Sequence, residues 1–183
     1  MIELARSTWT EVAAHMKSGQ TESGRTTAFL PFGALEQHGP HLPLSTDTLQ
    51  CGEIARRLAE RTDGILLSRA LWRNVGKLRA PRHHQPGAID GDGDSGRYRA
   101  DEMETSMILA IDPDLVHPDR YAPSYPEMPA DFGHRPIRLG DLAESGVFGD
   151  PRPATAAKGE SIIEAVVANA LELVTAFQSA VRG

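Results

Sequence analysis

Apolar positions along this chain alternate between helical spacing and short unbroken runs. Thr8 opens the first periodic stretch: Glu11 stands three residues later, as in a capping box, and Trp9, Val12, Ala13 and Met16 share one face as far as about Lys17. After the turn-forming Ser18-Gly19, the run from Thr26 to Gly33 is short, apolar and closed by glycine, which predicts a buried strand of a parallel sheet. A polar loop from Glu36 to Asp47 follows. From Thr46 the positions Leu49, Ile54, Ala55, Leu58 and Ala59 return to helical spacing. Thr46 or Asp47 is placed to cap this helix, and Arg56, Arg57 and Arg61 lie near its end, where the dipole favours cations. Asp63-Gly64 stops it, and Ile65-Leu66-Leu67 predicts a second strand, so strand, loop, helix, strand is the local unit.

The stretch from Trp72 to Arg99 breaks the pattern, with glycines, prolines and arginines but few large apolar residues, and no core-forming element can be assigned there. Periodicity resumes at Ala100 through Met103, Met107, Ile108 and Ala110-Ile111 until Asp112-Pro113. The proline- and glycine-rich section from His117 to Pro153 predicts a long ordered loop rather than a packed layer. The last helix carries the most persistent stripe, Ile162, Ile163, Val166, Val167, Ala170, Leu171, Val174 and Phe177, and is expected to pack on the sheet.

Composition narrows the classes. At 183 residues with 40% hydrophobic and 24% charged, the chain suits a single domain over 1–183, irregular at 72–99. A formal charge of −6 leaves no global cationic field for nucleic acid or an anionic membrane. No stretch approaches the ~18 consecutive apolar residues of a membrane span. The lone Cys51 forms no internal disulfide, and the N-terminus lacks the pattern of a signal peptide, so the expected compartment is the cytoplasm.

The chemistry concentrates in the loop between predicted strand and helix, which in an open parallel sheet is the edge where ligands bind. Glu36 and His38 are two apart and project to one side of an extended backbone, and Asp47 at the helix start is placed to fold back toward them. Carboxylate, imidazole and carboxylate without thiolate suit Zn, Mn or Fe, and an aspartate can bridge two ions in a binuclear site. The alternative is that Glu36 and His38 are surface loop residues and Asp47 only a helix cap.

The whole string weighs against that alternative. EQHGPHLPLSTD, preceded by LPFGAL, closely resembles the signature of the creatininase (creatinine amidohydrolase) family. The resemblance returns at Ala100–Ala110, similar to that family's HAxExETS region, and at Ser145–Thr155. It implies that Glu36, His38 and Asp47 are metal ligands, with Asp47 bridging, and that Glu104 is a further ligand or a proton-transfer group. It implies a three-layer α/β/α sandwich around a mostly parallel sheet, a homo-oligomer, and hydrolysis of a small amide C–N bond, cyclic ones included, by water activated at a divalent metal.

The chain departs from the family pattern at two places. It has no G-H-x-x-N string, since Gly133-His134 is followed by Arg135-Pro136, and the histidine that opens HAxExETS is here Arg99. It is also shorter in the middle, so central elements are expected to be missing. The competing reading is therefore a catalytically inactive, shortened member with a partial metal site. His83 and His84 are the remaining imidazoles that could complete the centre. The run Asp90–Gly96 resembles the opening of a calcium loop, but Ser95 stands where glycine is needed and Asp101 where a bidentate glutamate is needed. The arginines from Arg69 to Arg99 are interleaved with Asp90, Asp92 and Asp94, which describes a solvated face better than a nucleic-acid patch.

Overall fold

The computed structural model describes residues 1–18, 26–67, 99–131, 134 and 139–180. Its sheet is parallel and assembled from short strands far apart in sequence. β1 (Ile2–Glu3) and β2 (Ala28–Phe29) flank β3 (Ile65–Leu66), in the order β1-β3-β2. Ile65 pairs with Ile2 on one side and Ala28 on the other, and Leu66 pairs with Glu3 and Phe29. Parallel neighbours need a crossover connection, and α2 (Thr46–Arg61) lies in the one between β2 and β3; α1 (Trp9–Ser18) lies in the chain between β1 and β2, which flank β3. Among the described residues the next α-helices are α3 (Glu102–Ile111), the single turn α4 (Leu139–Leu142) and α5 (Ala156–Ala180). This is the expected α/β class.

Helix boundaries follow local chemistry. The Thr8 hydroxyl accepts from the Glu11 N–H at 3.4 Å while a Glu11 carboxylate oxygen accepts from the Thr8 N–H at 2.7 Å, so the capping box forms and starts α1. At the end of α2 the Gly64 N–H reaches the Ala59 carbonyl at 2.8 Å and the Asp63 N–H reaches Glu60 at 3.5 Å, with Asp63 itself left-handed at φ 48°. That is the Schellman pattern with aspartate in the place usually taken by glycine.

The described residues fall into two compact units. The first comprises residues 1–33, 50–80 and 163–183. In it Ala55, Leu58 and Ala59 of α2, Ile65 of β3, and Ile163 and Val167 of α5 are buried. Arg57 and Arg61 of α2 both grip Glu164 of α5, and Gln178 near the end of α5 donates to Thr27 beside β2 at 2.7 Å. The second unit comprises 34–49 and 81–162. Its core is Leu42, Ala100, Ile108, Val116 and Val147, with Leu49, Ile111 and Tyr121 packed against it. Within this unit α5 presses on α3 so closely that a Cβ on Gly159 would stand 1.9 Å from the Ser106 carbonyl oxygen.

Several expectations need correction. α1 buries no residue: Val12 and Ala13 are half-buried, but Trp9 is 82% exposed and Met16 is exposed too. The strand expected over 26–33 shrinks to Ala28–Phe29 and is not buried: Ala28 is exposed, Phe29 only half-buried, and Phe32 beyond it exposed. The α5 stripe is buried at Ile163 and Val167 and half-buried at Ala170, Leu171 and Val174, whereas Val166 and Phe177 remain exposed. The section from His117 to Pro153 is more than a loop. Ala143, Val147 and Phe148 are buried, and antiparallel bridges Arg99–Phe148 and Ser124–Gly149 tie it into the second unit. The stretch from Trp72 to Tyr98, with His83, His84 and the Asp90–Gly96 run, lies outside the described residues. No helix among the described residues is long and apolar enough to cross a membrane.

Candidate metal centre

The polar loop that follows β2 closes on itself. The Glu36 N–H donates to the Leu44 carbonyl at 3.0 Å, which returns the chain beside its own start just before α2 begins. Gly39 makes the tight turn inside this loop at φ +65°, where a Cβ would also sit 2.6 Å from Val147. Further along, the His41 carbonyl accepts from the His117 N–H at 3.0 Å. Neither Thr46 nor Asp47 caps α2, since both lie within its first turn. The Thr46 hydroxyl donates to the Pro43 carbonyl at 2.7 Å, and the Asp47 carboxylate turns to His38.

His38 is the centre of the cluster. Only 1% exposed, it places Nε2 3.0 Å from Asp47 Oδ1 and 3.7 Å from Glu104 Oε2. Its Nδ1 lies 3.2 Å from the Glu36 carbonyl oxygen. A carbonyl only accepts, so Nδ1 carries the proton and Nε2 faces the carboxylates. Glu36, His38 and Asp47 each offer a donor atom within 4.8 Å of the others. Glu36, the exposed member, is paired with the Arg99 guanidinium, which holds its carboxyl below the usual range.

Glu104 reaches the cluster from α3. Asp101 caps that helix, accepting from the Met103 and Glu104 N–H groups at 2.9 and 3.2 Å. Glu104, at the third helical position, reaches back so that Oε2 accepts from the Ala100 N–H at 2.6 Å. Ala100 is left-handed at φ 52°, a strained conformation that turns its N–H onto Glu104. Burial pushes the Glu104 carboxyl upward, and the negative charges of Asp101 and Asp47 add to this. The Ala100 N–H and His38 oppose it.

Some residues in this geometry carry no signal that sequence reasoning used. His41 is fully buried, with Nε2 3.0 Å from the Thr105 hydroxyl and its ring edge-on to Tyr121 at 5.1 Å, so it ties the motif loop to α3 next to Glu104. Its place in the same motif as His38 was the available clue. Arg99 stands out in sequence only as a departure from a histidine, yet it donates from Nε to the Gln37 carbonyl at 3.0 Å and pairs with Glu36. An open cleft of about 550 Å³ lies elsewhere in the same unit, lined by Asp101, Met103, Ser106, Lys158 and Ile162, and includes none of Glu36, His38, Asp47 and Glu104.

The donor set fits a divalent cation. A buried imidazole with its Nε2 directed at two carboxylates needs a proton or a metal ion between them, and among the described residues three carboxylates stand against one guanidinium, a net negative charge that a cation would neutralise. Mixed nitrogen and oxygen donors suit Zn and Mn among the available ions.

Comparison with known proteins places the chain in a family and a fold. Residues 5–90 and 77–174 match the family model for creatininase, creatinine amidohydrolase, and the two segments overlap inside the stretch where the sequence departs from the family pattern. The mycofactocin precursor peptide peptidases of Mycobacterium tuberculosis and Mycobacterium ulcerans are each 27% identical, covering 82% of this chain and 85% of the relative. Among solved structures, a creatinine amidohydrolase (creatininase) superposes with a TM-score of 0.71 at 19% identity, over 94% of this chain and 96% of its own. A creatininase described as Mn gives 0.70 at 19% identity, over 94% and 97%. A mutant creatininase of Zn-Zn type gives 0.70 at 18% identity, over 94% and 96%. At that identity these likenesses establish the α/β fold, and the family model spans most of the length. This chain belongs to the creatininase (creatinine amidohydrolase) family.

Proposed function

We propose that the chain is a metal-dependent amidohydrolase, with Glu36, His38, Asp47 and Glu104 holding a divalent ion where the C–N bond of a small amide or of a precursor peptide is hydrolysed. The observation that carries this reading is His38: buried, protonated on Nδ1 by its bond to the Glu36 carbonyl, and directed through Nε2 at Asp47 and Glu104. Such an orienting bond to the far ring nitrogen is typical of a metal-binding histidine. The family's solved members described as Mn and as Zn-Zn type support a divalent ion, and the peptidase names of the mycobacterial relatives bring peptides into the substrate class beside small amides.

When bound, the ion supplies Lewis acidity toward the amide carbonyl and toward water. The protein's own groups do the rest. His38 and Asp47 are fixed by the closed loop and the first turn of α2. Glu104 is the proton carrier: the Ala100 N–H holds its Oε2 and burial pushes its carboxyl upward, which favours the protonated form, so that it takes a proton from water and passes it to the departing nitrogen. The exposed Val166, Leu173 and Phe177 on α5 support the further expectation of a homo-oligomer.

A second reading, a metal-binding member that does not turn over, draws on Arg99, which stands at the position of a family histidine and engages Glu36. One experiment separates the two. The full chain, loaded with Zn²⁺ or Mn²⁺, is incubated with creatinine and with a synthetic precursor peptide, and the products are read by mass spectrometry. Hydrolysis is expected, and Glu104→Gln should slow it by about 100-fold or more per bound metal ion. An unaltered rate in that variant overturns the role of Glu104. Metal uptake with no product from either substrate selects the second reading.

A further inference from the structure

Among the described residues the cluster holds a cation of its own, Arg99. Arg99 is not a loose surface arginine, because it is held at both ends. Its backbone N–H donates to the Phe148 carbonyl at 3.1 Å and its carbonyl accepts from the Phe148 N–H at 2.8 Å. Its side chain, one-fifth exposed, donates from Nε to the Gln37 carbonyl at 3.0 Å and sets Nη2 against Glu36 Oε1. Gln37 lies between the two candidate ligands Glu36 and His38, so the guanidinium is anchored to the backbone of the metal loop as well as to one of its carboxylates.

We propose that Arg99 is a resident cation of the centre, occupying one oxygen of Glu36 so that the centre takes up a single divalent ion rather than a pair. This rests on the metal-centre reading above. A two-ion site places its ions about 3.5–4 Å apart and shares carboxylate oxygens between them. Here one oxygen of Glu36 is taken by a planar fork that keeps its charge at any workable pH. The fixed positive charge also repels a second ion beside Glu36, while His38 Nε2 faces Asp47 and Glu104. Arg99 therefore sets ion stoichiometry.

The test is equilibrium dialysis of the full chain against Mn²⁺, with bound metal counted by elemental analysis and its coupling read by electron paramagnetic resonance. The wild type should retain close to one Mn²⁺ per chain with an uncoupled six-line spectrum. Arg99→Met should retain close to two, with an exchange-coupled spectrum and a second ion bound at least tenfold more tightly than in the wild type. Arg99→Gln serves as a second variant if Arg99→Met does not fold, and the wild-type count stands without either. Two coupled ions in the wild type overturn the proposal and leave the metal-centre reading standing. One ion in both variants, or loss of metal from both, also overturns it, because Arg99 would then be neutral toward the centre or needed to form it. No Mn²⁺ in the wild type overturns the metal-centre reading and this inference with it.

Discussion

Acid should destabilise this protein through His41 in a way that one substitution can isolate. The ring is fully buried, bonded through Nε2 to Thr105 and edge-on to Tyr121, and Nδ1 makes no hydrogen bond among the described residues. Burial, only partly offset by the Ala100 carbonyl, pulls its pKa from 6.5 to about 4. In that window the unfolded chain binds a proton that the folded chain refuses. Stability is therefore fully present above the unfolded value and falls as pH drops toward the folded one, by about 1.4 kcal/mol per pH unit and about 3 kcal/mol in all. Carboxylates elsewhere titrate in the same range, so the contrast must be with His41→Gln, which keeps a polar side chain but cannot titrate. Urea unfolding of both proteins, chelator-treated and followed by circular dichroism between about pH 7 and pH 4.5, gives the comparison. The wild type should lose about 2–3 kcal/mol relative to the variant across that range. Parallel pH dependences for the two proteins would refute the reasoning, since His41 would then be titrating as freely in the folded state as in the unfolded one.

Two further expectations test the packing and the site. Gly159→Ala places a methyl group 1.9 Å from the Ser106 carbonyl. It should cost about 3 kcal/mol in urea unfolding as α5 is levered off α3, and an unchanged midpoint would rule out the close approach of the two helices. Asp47→Ala removes the carboxylate nearest His38 Nε2; elemental analysis should find metal retention abolished while the helical circular dichroism persists, and undiminished metal content would remove Asp47 from the ligand set.

What the amino-acid order determined unaided is the chemistry that acts over a few residues. The Thr8–Glu11 box, the stop at Asp63-Gly64 and the extents of α2 and α3 are set by partners within one or two helical turns, so their signals survive without tertiary information. The motif placed Glu36, His38 and Asp47 together for the same reason, because the closed loop and the helix turn that follows it carry all three. Burial was less legible. The spacing of Trp9 with Val12, and of Val166 with Phe177, shows that side chains share a face, but not whether another element covers it: Val12 is half-buried while Trp9, Val166 and Phe177 end in solvent. Only the tertiary structure could decide the long-range pairings. His41 meets Thr105 across 64 residues and Arg99 meets Gln37 across 62, because loop closure and the packing of α3 on the second core bring them together. Nothing in the local sequence encodes that approach. An arginine that breaks a family pattern reads in sequence as a lost function, and the folded chain shows it instead as a charge placed on a candidate ligand, since a guanidinium seeks the nearest carboxylate the fold brings within reach.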